Sequence, residues 1–311
     1  MDVMSLGPRA RRLLTRATKI VLRVRYQHNV DIALLGMLDG GQSLTQKNDA
    51  AAYVDFLRAC IEPMKLHIKV VKQPGEHRPD AHANRFATLI DTLRHVPPVP
   101  AGTALLIADR ADWFRGSTLP VNEQRWAGDV GLAFSIASSS GYKGRIISTI
   151  VRLCHAKQCL ELGTAFGLSA MFIIEQQKRL GHPCHLATVE ANNPQFEMAR
   201  DHLTKAYGDA VTCHFGYTEK LLPELARSGV PIDFIFHDAG HSRDNYVNDF
   251  GAIVGALAPG SVVLIDDIRW EDARFHHGAA NTYGGWREVV AHPQVTQAIE
   301  IDGAMGLVQL A

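Results

Sequence analysis

The sequence predicts an α/β protein built on a doubly wound, mostly parallel sheet, and three observations carry that expectation. From Gln158 onward, short apolar runs alternate with amphipathic stretches, the pattern of parallel strands joined by crossover helices. The run Cys159-Leu-Glu-Leu-Gly-Thr-Ala-Phe-Gly-Leu-Ser169 reads as a buried strand, a tight turn holding two glycines, and a helix N-terminus. Near the end, Asp302-Gly303 separates two apolar runs, the signature of an antiparallel hairpin.

Taken in order, strands are expected over Gln158–Leu162, His185–Glu190, Ala210–Phe215, Ile232–His237 and Ser261–Ile265, with helices beginning near Leu168, Pro194, Thr218 and Asp244. Tyr283–Ala291 reads as a further helix, and Val295–Ile301 and Ala304–Leu310 as the hairpin that completes seven strands. Upstream, Ala83 to Arg94 and most of Arg125 to Cys154 read as helical. Proline and glycine break the chain at Gln73-Pro-Gly-Glu-His-Arg-Pro79 and again at Val96-Pro-Pro-Val-Pro-Ala-Gly102. The expected organisation is an N-terminal helical extension over 1–80 and one large domain over 81–311.

Of the 311 residues, 46% are hydrophobic and 21% charged, enough for a substantial core without disulfide staples. Five cysteines (Cys60, Cys154, Cys159, Cys184, Cys213) form no C-x-x-C pair and leave one over, which suits reduced thiols in a cytoplasmic protein. No apolar run reaches the roughly 18 residues of a membrane span. The formal net charge is zero, so no global basic field draws in nucleic acid. The charge is uneven, however. Up to Arg25 there are seven bases against Asp2 alone, with Arg9, Arg12, Arg16, Lys19 and Arg23 at helical spacing. Such a basic amphipathic helix suits peripheral contact with an anionic membrane, a transit sequence, or a solvated helix packed on its own protein.

The residues with chemistry fall at the carboxyl ends of the expected strands, where open α/β sheets bind ligands. The loop spacing, acid-x-Gly-x-x-x-Gly from Glu161, differs from the Gly-x-Gly-x-x-Gly of dinucleotide turns. Glu190 closes the second strand, where a carboxylate can accept both ribose hydroxyls. Gly216-Tyr217 follows the third strand. The fourth ends in Phe236-His-Asp-Ala-Gly-His241 and the fifth in Leu264-Ile-Asp-Asp267, so Asp238, Asp266 and Asp267 converge if the two strands are neighbours. Two bare carboxylates some 5 Å apart repel by about 3 kcal/mol at an effective dielectric of 20. A hard divalent cation such as Mg²⁺ removes that repulsion. Adjacent strand residues point to opposite faces, so Asp266 and Asp267 can share an ion only if the chain leaves the strand there. His241 is the candidate general base, since an imidazole titrating near about 6.5 can take a proton from an ion-bound hydroxyl. His237 lies inside its strand and reads as structural. His276 and His277 sit in a glycine-rich segment suited to a substrate loop.

These motifs resemble those of class I S-adenosylmethionine-dependent methyltransferases, whose cofactor loop the Glu161–Ser169 stretch is similar to. The resemblance implies cofactor contacts from Glu161, Gly163, Thr164, Gly167 and Ser169, the ribose on Glu190, and further contacts from Gly216, Tyr217 and Asp238. Tyr217 departs from the small polar residue or acid that many relatives carry there. Within the class, the acids resemble the metal-dependent O-methyltransferases of the catechol and caffeoyl-CoA type. Those carry lysine three residues after the first acid and an Asp-Asn pair; here His241 and Asp266-Asp267 stand instead, closer to the macrolide-sugar O-methyltransferases. The resemblance runs from about Ala83 to the C-terminus and includes Asp266-Asp-Ile-Arg-Trp270 and Trp286-Arg-Glu-Val-Val-Ala-His-Pro293. It implies S-adenosylmethionine and Mg²⁺ as cofactors, a sugar or phenol hydroxyl as acceptor, catalysis by His241 with Asp238, and a homodimer. Two rivals belong to other classes: a non-catalytic, membrane-associated protein that keeps the fold, suggested by the basic helix, and a nicotinamide oxidoreductase, suggested by the glycine turn and Glu190 alone.

Overall fold

A computed structural model describes residues 56–73, 81–112, 141–269 and 281–311. The basic helix before Arg25 and the segment holding His276 and His277 lie outside the described residues, as do residues 125–140. The chain divides into two compact units, residues 1–64 with 97–146, and residues 65–96 with 147–311.

In chain order the elements are β1 (Ile68–Lys72), α1 (Ala81–Arg94), α2 (Ala101–Asp112), α3 (Gly141–Cys154), β2 (Gln158–Leu162), α4 (Leu168–Leu180), β3 (His185–Glu190), α5 (Asn193–Tyr207), β4 (Val211–Phe215), α6 (Thr218–Arg227), β5 (Ile232–His237), α7 (Arg243–Ile253), β6 (Leu257–Ile265), α8 (Thr282–Ala291), β7 (Val295–Ile301) and β8 (Met305–Leu310). In the first unit a buried arginine, Arg145, is satisfied by main-chain carbonyls: its Nε donates to Pro97 at 2.7 Å and its guanidinium also reaches Glu62. Carbonyl acceptors offset the cost of burying such a cation.

The second unit holds one sheet of eight strands in the order β1-β7-β8-β6-β5-β2-β3-β4. Strands β6, β5, β2, β3 and β4 run parallel, while β8 is antiparallel to β6 and β7, and β1 is antiparallel to β7. This is the doubly wound sheet the sequence predicts, with eight strands in place of seven. The additional strand is Ile68–Lys72, inside the segment expected to be helical; it pairs along β7 from Ile68 opposite Ile301 to Lys72 opposite Ala298. Its run of two lysines among apolar residues suits an amphipathic helix as well as an edge strand, and only the partner edge decides. The terminal hairpin forms where Asp302-Gly303 predicts it, both residues at positive φ and Ala304 N–H donating to the Ile301 carbonyl.

The parallel strands β2, β3, β5 and β6 are largely buried on both faces, as crossover helices require, whereas the edge strand β4 is partly exposed. One side packs Leu160, Leu162, Val189, Ile235, Val263 and Ile265 against Leu222, Tyr246, Phe250 and Trp286. Full burial of each such side chain contributes about 1.5–3 kcal/mol. None of the five cysteines is in a disulfide, and Cys60, Cys154 and Cys159 are buried.

Candidate active site

The strand order makes β2 the centre of the parallel sheet, with β3 on one side and β5 on the other. The crossover direction reverses there, and the carboxyl end of such a strand is where ligands bind in this architecture. After Leu162 the chain turns sharply. Gly163 N–H and Thr164 N–H both donate to the Val189 carbonyl, and Gly167 N–H closes back on Thr164 at 2.7 Å. Gly163 adopts φ +90°, and a Cβ on it would lie 2.3 Å from the Asp238 carbonyl oxygen. Glycine is therefore required both for its conformation and for close approach to the end of β5. Gly167, at φ +80°, caps α4.

Glu161 is wholly buried beneath this turn. The parallel register sets it beside Thr188, whose hydroxyl donates to Glu161 Oε2 and contacts the Thr164 hydroxyl. Burial raises the Glu161 carboxyl to about 7; hydrogen bonds from Ser169 and Thr188 pull it down, and the charge of Glu190 pushes it further up. Glu161 Oε1 is buried with no hydrogen-bond partner among the described residues. Thr164 and Ser169 are likewise buried, so these three predicted cofactor residues form a floor under the loop and not its rim.

Glu190, at the end of β3 and itself buried, stands beside the turn. Ala165 N–H donates to its Oε2 and Asn192 N–H to its Oε1, each at 2.8 Å. Two backbone donors fix the carboxylate at the end of β3, where a ribose hydroxyl would meet it. Gly216 N–H donates to the Glu190 carbonyl, which brings the turn after β4 to the same place. Tyr217 precedes α6 and is 62% exposed.

The ends of β2, β5 and β6 are laced together: Asp238 N–H donates to the Leu162 carbonyl and Asp266 N–H to the His237 carbonyl. Asp267 then takes φ +51°, so the chain leaves the strand there. The structure brings one oxygen of Asp238, one oxygen of Asp267 and a ring nitrogen of His241 within 4.8 Å of one another. His241 Nε2 is 3.9 Å from both Asp238 Oδ1 and Asp267 Oδ2. Asp266 is placed otherwise: it is fully buried, and its Oδ1 accepts the Asp267 N–H at 2.9 Å.

Two residues that nothing in the sequence singles out, Tyr246 and Asp249, support this corner together with His237. Tyr246 of α7 donates its hydroxyl to the Asp266 carbonyl at 2.8 Å and lies 3.4 Å from that of Asp267. Burial, followed by the charges of Asp267, Asp266 and Asp238, pushes its phenol well up, so it stays a donor. His237, buried as expected, meets Asp249 at 3.0 Å and packs edge-on against Tyr246. No motif marks Tyr246 or Asp249, which read as ordinary positions of an amphipathic helix. A groove at the opposite, amino ends of the strands, lined by Gln158, His185, Asp209 and Val230, takes in none of these residues.

A family model described as a methyltransferase domain matches residues 160–268, the span from β2 to the turn after β6. This segment has the class I methyltransferase fold. The chain is 28% identical to a catechol O-methyltransferase of Niastella koreensis over 133 residues, 42% of this chain and 58% of that one. It is 24% identical to caffeoyl-CoA O-methyltransferase 1 of Eucalyptus globulus over 140 residues, 44% of this chain and 55% of that one. The chain thus spans little more than half the length of these curated relatives. Its fold is similar to that of the O-methyltransferase TomG from Streptomyces achromogenes, solved with S-adenosylmethionine, at a TM-score of 0.50 and 24% identity over 66% of this chain and 89% of that one. Among the described residues no helix of this methyltransferase-fold protein is long and apolar enough to cross a membrane.

Proposed function

We propose that the protein is an S-adenosylmethionine-dependent O-methyltransferase that acts on a hydroxyl of a small molecule with the help of a divalent cation. The observation that carries this reading is the juxtaposition at Gly163. The glycine turn lies against the main chain of Asp238, whose side chain belongs to a group of three cation-ligating residues. A methyl donor on the turn and an ion at that group would then be neighbours. The residues fit both. The Gly163 cradle has no room for a Cβ, Glu161 Oε1 lacks a hydrogen-bond partner among the described residues, and Glu190 is fixed by two backbone N–H groups.

When bound, the sulfonium donor supplies an electrophilic methyl carbon, and the cation supplies charge that makes an acceptor hydroxyl more acidic. The chain's own contribution is to place the reactants. Glu190 would accept the ribose hydroxyls, the loop from Gly163 to Gly167 would lie along the donor's tail, and Asp238 and Asp267 would hold the ion. In the overall exchange the acceptor oxygen gains the methyl, sulfur keeps the bonding pair, and the hydroxyl proton leaves. His241 stands where one of two roles is open to it, proton acceptor or third ligand of the ion.

The Asp-x-x-His pattern from Asp238 to His241 favours a sugar or other natural-product hydroxyl as acceptor, and the named catechol O-methyltransferase relatives favour a phenol. Methyl transfer to a panel of glycosides and catechols separates the two. Calorimetry with S-adenosylhomocysteine and with NAD tests the reading as a whole: the expected result is binding of the former alone, and binding of NAD alone would overturn it. Full activity after exhaustive EDTA treatment would remove the cation from the proposal.

A further inference from the structure

We infer that His241 is a protein ligand of the ion, in the place expected of Asp266, and that its nitrogen turns the site's preference from Mg²⁺ toward first-row transition cations. This rests on the proposal that an ion sits at this corner. Three features of the structure argue for it.

The first is spacing. Nε2 stands 3.9 Å from an oxygen of each carboxylate, too far for a hydrogen bond to either. Ligand atoms that share one ion at about 2.1 Å are spaced about 3.0–4.2 Å apart, and this equidistant placing falls within that window. The second is the turn that delivers the ring. Gly240 at φ +49° reverses the chain, Ser242 N–H closes on the Gly240 carbonyl at 3.1 Å, and Ser242 caps α7 by accepting the Asn245 N–H. A Cβ on Gly240 would strike the Asn245 side chain at 2.6 Å. His241 is thereby held between a glycine-dependent turn and a helix cap, with its side chain back over Asp238. The third is Asp266, whose buried Oδ1 is engaged by the neighbouring amide while Asp267 turns outward.

Mg²⁺ takes oxygen ligands and retained waters, whereas imidazole suits the later first-row ions. Two carboxylates and one imidazole make a mixed set in which the nitrogen discriminates. A ring nitrogen that ligates the ion has its lone pair committed and is no longer a base, so proton acceptance falls to another group or to water.

The test uses the full chain loaded with Mn²⁺ or Co²⁺ alone, without acceptor. Pulsed EPR of the Mn²⁺ protein is expected to show nitrogen modulation that disappears in His241→Asn. By calorimetry, Co²⁺ is expected to bind on the order of 100-fold more tightly than Mg²⁺, the ratio falling roughly tenfold or more in His241→Asn. Asp266→Asn is expected to keep Mn²⁺ affinity within about threefold, since an amide oxygen still accepts the Asp267 N–H. Binding of S-adenosylhomocysteine by each variant reports an intact fold. Bound Mn²⁺ without nitrogen modulation, or modulation that survives in His241→Asn, overturns the inference and leaves the methyltransferase reading standing. Cofactor binding with no divalent ion bound overturns the inference together with the metal half of the proposed function. Loss of cofactor binding by the unsubstituted chain overturns the function itself.

Discussion

A Cβ placed on Gly163 would lie 2.3 Å from the Asp238 carbonyl oxygen, in a backbone conformation that L side chains rarely adopt. Strained φ alone costs roughly 1–3 kcal/mol, and the clash can be relieved only by moving the loop off the end of β5. Gly163→Ala is therefore expected to lower stability by about 3 kcal/mol or more and to abolish S-adenosylhomocysteine binding. Thermal melts and calorimetry check both; wild-type affinity in this variant would show that the turn does not hold the cofactor. Glu161, two residues before it in the strand, makes a pH-dependent prediction. Its carboxyl moves from 4.5 to about 7 on folding, chiefly through burial, so the folded state holds the proton more tightly. The stability this confers is complete below about pH 4.5 and is lost as pH rises through about 7. Glu161→Gln stays neutral throughout, so in urea unfolding it should gain about 3 kcal/mol on the wild type between pH 4.5 and 8. Parallel pH profiles for the two proteins would mean that Glu161 is solvated.

At the level of elements, the metal corner depends on α7 as much as on the strands. Tyr246 reaches across from this helix to the carbonyls of Asp266 and Asp267 and so fixes the turn that aims the Asp267 carboxylate. Tyr246→Phe leaves a buried carbonyl without its donor, at a cost of about 1–2 kcal/mol. Divalent-ion affinity should fall about tenfold while S-adenosylhomocysteine affinity is kept, a split that a general loss of packing would not give. The elements also show what a sequence discloses. Strands β2, β3, β5 and β7 were legible to the residue because their apolar runs end in acids, histidine or a hairpin turn, all local signals. The convergence of Asp238 with Asp267 was legible as well, since it follows from neighbouring parallel strands. The part played by Asp266 was not, because it turns on a positive φ at an aspartate that no residue type announces. Tyr246 escaped notice for a related reason: one hydroxyl on a helix face carries no pattern, and its value exists only once β6 is beside it.

At the scale of the whole sheet, the strand that the sequence concealed has the largest consequence. Strand β1 covers the edge of β7, whose residues Gln297 to Ile301 are all buried. It carries the exposed Lys69, and edge lysines oppose pairing with another chain, while Lys72 donates to the Val290 carbonyl at 3.0 Å. Lys69 also reaches Glu300, a buried acid already bonded by Arg269 and Tyr283. Burial alone would raise that acid, yet these donors and the charges of Arg269 and Lys69 hold it below the ordinary carboxylate range. Two truncated chains isolate the contribution of β1, one beginning at Lys65 and the other at Ala81. The first keeps the strand and should remain monodisperse, or keep the oligomeric state of the full chain. The second uncovers β7 and should self-associate by light scattering and melt at least about 5 °C lower. Identical behaviour of the two would mean that β7 is a competent edge by itself. A difference confined to the second would place the start of the folded sheet before residue 68, ahead of the Pro-Gly break that the sequence offers as its boundary.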